Sequence, residues 1–168
     1  ILRVIGEGAL ASYTIISYVN TLVLMTMTGT AQGMQPLVSF HLGAGERKNC
    51  HRLLKYGVSL IAAFSVVSFA LGELGAPAIV SAFLPTDSAV FSYSISALRM
   101  YSSSFLVLGF NVIFAAFFTA VERPVFAFSI SFGRSLVLLV ASLLILSSLF
   151  GDKGIWFSTL CSELLCLC

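Results

Sequence analysis

The 168-residue chain is 58% hydrophobic and only 10% charged, against a charged share of about a quarter in soluble domains, and its mean hydropathy is +1.02. Such a chain is an integral membrane protein, and several apolar runs reach the ~20 residues that cross a ~30 Å hydrocarbon core, which excludes a lone signal peptide or anchor. A net charge of +2 is too small to argue for nucleic acid as a partner.

In chain order, the first predicted helix covers residues 8–42, long enough to span with tilt and to extend past the membrane. On an ideal helix at ~100° per residue, Tyr13, Thr14, Ser17, Asn20, Thr21, Thr28, Gln32, Gln35 and Ser39 fall on one stripe, expected to line an interior surface. Hydroxyls that bond their own helix backbone explain the serines and threonines, but not Asn20, Gln32 and Gln35. The stripe ends in GTAQGMQPLVSFHLGAG, residues 29–45. Here Pro36 removes a helical hydrogen bond and predicts a bend, while Gly29 and Gly33 stand at the spacing that lets a second helix approach closely. A kinked packing seam without a ligand is the simpler account of that motif.

The dense polar run GERKNCHRLLK follows, expected as a cytoplasmic loop because short Lys- and Arg-rich loops stay inside. The second span, residues 53–83, returns outward with Glu73 near the outer interface. Pro77 suits a bend or exit there, and LPTDS is an outer turn without a basic residue. Residues 90–99 form an interfacial lead-in to a third span, 101–121. Arg99 sits at its outer boundary, read as a snorkelling cation with a pair to Glu73 as the alternative. Asn111 falls near mid-span, where an amide must find a partner. Phe105, Phe110, Phe114, Phe117 and Phe118 around it read as packing or lipid contacts before they read as a ligand wall.

Arg123 and Pro124 mark an inner turn into the fourth span, residues 124–150. Arg134 lies ~15 Å along it, so it either snorkels or meets a carboxylate or carbonyls inside the bundle. GDKGIW is an outer turn with Trp156 as an interface anchor, and a fifth span, 154–168, carries Glu163 below the outer boundary. Basic residues divide accordingly, with Arg47, Lys48, Arg52, Lys55 and Arg123 inside and Arg3, Arg99 and Lys153 outside or at the outer edge. The start at Ile1 and the stop soon after Trp156 read as those of a fragment. The four cysteines, Cys50, Cys161, Cys166 and Cys168, lack metal-ligand spacing and read as small apolar side chains.

The segments GMQPLVSFHLGAGERK, LRMYSSSFLVLGFNVIFAAFFTA, SFGRSLVLLVASLLILSSLFGDKGIW and the final SELL occur in the order and spacing of a known family. Together they resemble the carboxy-terminal lobe of a MATE (multidrug and toxic compound extrusion) transporter. The resemblance implies an all-α, polytopic transmembrane bundle, about five spans of a six-helix lobe, with an amino-terminal lobe and a preceding helix as its partners in the same protein. It further implies antiport in a bacterial plasma (cytoplasmic) membrane, where sodium ion or proton entry drives export of amphipathic or cationic organic compounds. No cofactor beyond that coupling ion is expected, and no metal site. Asn20, Gln32, Gln35 and Asn111 are the expected substrate-cavity residues, Glu163 and Arg134 the coupling or ion-pair residues, and Glu73 and Arg99 the outer-boundary charges. Some family members carry a carboxylate in the helix that matches the third span, whereas here no Asp or Glu occurs between Ser88 and Val121, so sodium and proton both stay open.

A lipid-linked precursor flippase of the same superfamily is the alternative transporter, although Arg134 is the sole deep cation that this sequence offers it. A membrane enzyme would need converging histidines, carboxylates or a nucleophile with its base, which the spans lack. A non-transporting scaffold would leave Asn111 and Glu163 without a purpose.

Overall fold

A computed structural model of the chain describes residues 8–167. Arg3 and Cys168, assigned above to the outer side and to the last span, lie outside the described residues. The elements are α1 (Gly8–Gly43), α2 (Arg47–Leu74), a short α3 (Ala76–Ser81), α4 (Phe91–Ser102), α5 (Phe105–Ala120) and α6 (Pro124–Phe132). A π-helical stretch (Gly133–Leu138) joins α6 to α7 (Leu139–Phe150), and α8 (Asp152–Leu167) follows. Leu10–Gly43, Arg47–Leu74 and Pro124–Phe150 are each long and apolar enough to cross a membrane, and α4 and α5, bent by 42° at the break between them, reach that length only when taken together. The architecture is an all-α polytopic bundle, as composition requires.

Local chemistry sets the breaks. Gly45, at φ 77°, ends α1 in the left-handed conformation, and the Glu46 N–H reaches back to the His41 carbonyl at 2.9 Å. Only residues 44–46 therefore separate α1 from α2. The basic run expected as a loop is helical from Arg47 onward, since Lys, Arg and Leu are good helix formers and Gly45 is its sole breaker. The α2 helix stops at Leu74, and α3 restarts after Gly75 with Pro77 in its first turn. The bend between α4 and α5 falls at three serines. Ser102, Ser103 and Ser104 donate their hydroxyls to the carbonyls of Arg99, Met100 and Tyr101 at 2.8, 2.6 and 2.8 Å, competing with the helical ladder. The expected interfacial lead-in is thus the helix α4 itself. Pro36 does not interrupt α1, which continues to Gly43.

Two apolar clusters hold the bundle. Met27, Ala31, Met34 and Val38 of α1 meet Ile61 of α2 and Phe105, Leu108 and Ile113 of α5. Toward the other end, Ile15 and Ile16 meet Val80, Ala97, Leu98 and Trp156. These apolar positions, and not the polar stripe, form the interior face of α1. Tyr13, Thr14, Thr21, Gln32 and Ser39 are exposed on the lobe surface, because a mixed stripe packs less favourably than the Met and Ile face beside it. Gly29 and Gly33 likewise meet nothing within contact distance. Close approach is made instead by Gly109, where a Cβ would lie 2.6 Å from Ile61 Cγ2, and by Gly72 against Ser102.

Pairings along α1 give the direction of the helices. Ser12 hydrogen-bonds Ser94 at 2.7 Å, and the Gln35 amide and Ser39 hydroxyl donate to the Ala116 and Ala120 carbonyls at 3.4 and 3.1 Å. The α1 helix is therefore parallel to α4 and α5, and the turns 44–46 and 121–123 share one end. Arg47, Lys48, Arg52, Lys55 and Arg123 collect there. At the opposite end Trp156 is buried, donating from Nε1 to the Tyr93 hydroxyl at 3.1 Å, so it anchors α8 to α4 and not to the membrane interface.

Candidate functional site

Three side chains singled out from sequence, Asn111, Arg134 and Glu163, meet where α5, the π stretch and α8 adjoin. The hairpin between α7 and α8 sets this up, because Gly154 lies directly against the Leu146 carbonyl and turns α8 back along the preceding span. Asn111 Nδ2 donates to Glu163 twice, to the backbone carbonyl at 2.9 Å and to Oε2 at 2.7 Å. Arg134 Nη1 donates to Oε1 at 3.1 Å and more weakly to Oε2 at 3.5 Å. The Glu163 side chain is 7% exposed and that of Arg134 18%, so the pair sits in a poorly solvated setting where each charge depends on the other. Among the described residues Glu163 is the one charged residue that is buried. The Ser162 hydroxyl donates to the Arg134 carbonyl at 2.9 Å and ties α8 to the widened turn of the π stretch.

This cluster forms one wall of a cavity of about 200 Å³ that Asn20, Tyr101, Leu139 and Thr159 also line. The same four residues line a second cavity of about 380 Å³, bounded by Tyr13 and Trp156. The two adjoin, giving a recess with an ionic end and an aromatic end.

Of the expected cavity residues, Asn20 alone lines this recess. Gln32 is exposed on α1, and Gln35 belongs to the α1–α5 seam through its bond to Ala116. Asn111 is committed to Glu163. Arg134 meets a carboxylate and does not snorkel. Arg99 does not snorkel alone either, since its Nε donates to the Glu73 carbonyl at 3.1 Å with the Glu73 carboxylate 4.0 Å away. Sequence reading missed Tyr101, Thr159 and Ser162. A usable signal was present in α8, where Ser158, Thr159, Ser162 and Glu163 recur at helical spacing and share one face. Among the described residues no three His, Cys, Asp or Glu side chains gather as a metal site.

Residues 1–144 match the model of the MatE family. The chain belongs to that family. A search of curated proteins finds no match. Among solved structures, the MatE chain superposes on the outward-facing conformation of a multidrug resistance MATE family transporter of the MOP superfamily, with TM-score 0.89 and 20% identity over 98% of this chain. It superposes equally on a MATE in complex with MaL6, with TM-score 0.90 and 18% identity over 98% of the chain. A MOP superfamily transporter from Pyrococcus furiosus Vc1 (DSM3638), whose binding pocket is described as of reverse polarity and suggestive of a different function, gives TM-score 0.88, 18% identity and the same coverage. At these identities the likeness is one of fold. The MatE chain spans 37–38% of the length of those transporters.

Proposed function

We propose that the protein to which this lobe belongs is a secondary active antiporter, exporting amphipathic or cationic organic compounds across a bacterial plasma membrane in exchange for entering sodium ions or protons. One observation carries the reading. Among the described residues a single buried carboxylate, Glu163, faces a cavity inside a membrane-spanning bundle and is held by Asn111 and Arg134. A buried ionised group in a membrane bundle is costly even when paired, which marks it as functional, and exchange of cations at one carboxylate is what antiport requires. The exposed polar stripe on α1 adds support, because in a two-lobe transporter a polar lobe surface suits a shared aqueous pathway. A flippase for lipid-linked anions is disfavoured, since the one cation on the cavity wall, Arg134, is already matched by Glu163 at 3.1 Å.

The test is made on the full-length protein in proteoliposomes loaded with a fluorescent organic cation. An imposed sodium or proton gradient is expected to accelerate its movement, and Glu163→Gln is expected to abolish the acceleration. A wild-type protein that responds to neither gradient overturns the proposal.

A further inference from the structure

The contacts of Glu163 are unequal. Asn111 is itself 2% exposed and spends its amide on both the backbone carbonyl and Oε2 of Glu163, so it fixes residue and carboxylate together. Oε1 has one partner, Arg134 Nη1. That contact comes from a single guanidinium nitrogen, not from the two-pronged arrangement in which Arg holds a carboxylate most firmly. The Arg134 backbone, by contrast, is secured by Ser162. A long side chain on an anchored backbone can leave its partner by rotation about its own bonds, with no movement of the helix.

Space for that rotation lies beside it. The 200 Å³ cavity borders both members of the pair, and Asn20, on the facing helix α1, lines its other side. The adjoining 380 Å³ cavity supplies an aromatic and apolar lining through Tyr13, Tyr101 and Trp156. Aromatic side chains pack favourably against an aryl group, and together the two cavities match a ligand with a monovalent cationic head for Glu163 and an aryl tail.

We propose that Arg134 is a tethered competitor for Glu163: it occupies Oε1 when the recess is empty, and an aryl-bearing organic cation binds by displacing it, its head on Glu163 and its ring between Tyr101 and Trp156. The inference rests on the antiporter reading for the identity of the ligand, but not for its geometry. Arg134 is here a specificity residue. A neutral ligand gains nothing from displacing it, so the built-in cation raises the threshold for any compound that cannot replace its charge.

The competition makes a prediction of unusual sign, since removing a charged residue from the recess is expected to strengthen cation binding. If the free carboxylate is populated about a tenth of the time, the apparent affinity rises about tenfold when the competitor is removed. The experiment measures binding of a biphenylmethyl-trimethylammonium cation and of its neutral tert-butyl isostere to the full-length transporter in lipid nanodiscs, without any gradient. Arg134→Met is expected to bind the cation about tenfold more tightly at alkaline pH, where Glu163 keeps its charge without its partner, with the isostere unchanged. Glu163→Gln is expected to lose cation binding and keep the isostere. Arg134→Lys retains the charge and guards against misfolding of the Met variant, and it is expected to fall between wild type and Arg134→Met. Equal or weaker cation binding in the Arg134 variants, or parallel changes for cation and isostere, overturns the proposal. Gradient-driven efflux of the wild type is scored separately. Its absence sinks the antiporter reading alone, whereas intact efflux with no gain in Arg134→Met or Arg134→Lys sinks the competitor alone.

Discussion

The two faces of α5 solve the problem of packing in a membrane by different means. Toward α1 and α2 the helix presents Gly109, Phe105 and Ile113, and the contact is one of shape: a missing side chain at Gly109 admits Ile61 and Met27. Toward α8 it presents Asn111, and the contact is one of charge and hydrogen bonding with Glu163 and Arg134. Shape packing brings the first seam into close contact around Gly109, because small residues let helices approach and lipid offers no better partner. Polar pairing leaves a cavity at the second seam, since an ionic cluster satisfies itself with a few directed contacts and does not fill space. The rigid seam and the adaptable seam are thus built on opposite faces of one helix, centred on residues only two positions apart.

The largest expected effect breaks the shape seam. Gly109→Leu forces a side chain into Ile61 and Met27 and is expected to lower stability by about 3 kcal/mol, read as a fall in the thermal midpoint of the full-length protein in detergent. A variant as stable as wild type would mean that α2 and α5 do not pack as closely as described.

The polar seam should respond differently, through non-additivity. Glu163→Met leaves Arg134 poorly solvated without its partner and is expected to cost about 2 kcal/mol, whereas the double variant Glu163→Met with Arg134→Met is expected to recover most of that loss. Additive losses in the thermal midpoint would show that the two residues act independently.

The smallest effect lies at the 44–46 turn, outside both seams. Hydrogen bonds from Asn49 and then His41 hold the exposed Glu46 carboxyl below its ordinary value of 4.5. A carboxyl depressed in this way contributes stability above its unfolded pKa and loses it as pH falls through the folded value. Amide exchange in the 44–46 turn is therefore expected to quicken, relative to the rest of the chain, below about pH 4.5, and Glu46→Gln is expected to remove the pH dependence. An unchanged profile in the variant would assign the acid sensitivity elsewhere.

Much of this molecule is legible in its sequence, for reasons that are local. Hydropathy determined the membrane class, and uninterrupted apolar runs determined where most spans lie, because in lipid the backbone must satisfy itself within each helix. Pro77 and Pro124 marked true helix ends. The polar residues Asn111, Arg134 and Glu163 announced themselves by their cost at depth. What only the tertiary structure decided was pairing and facing. No local signal states that Arg134 meets Glu163, 29 residues away, or that Asn111 spends its amide on the same residue 52 positions on. Nor does an amphipathic stripe say which of its residues meet a neighbour: on α1 the Met and Ile face went inward, the polar stripe was divided between the lobe surface (Thr14, Thr21, Gln32), the α5 seam (Gln35, Ser39) and the recess (Asn20), and Gly29 and Gly33 were left open while Gly72 and Gly109 made the close contacts. Helix existence depends on residues a turn apart, whereas the site depends on how three spans rotate against one another, and that rotation is set by the sum of all their contacts.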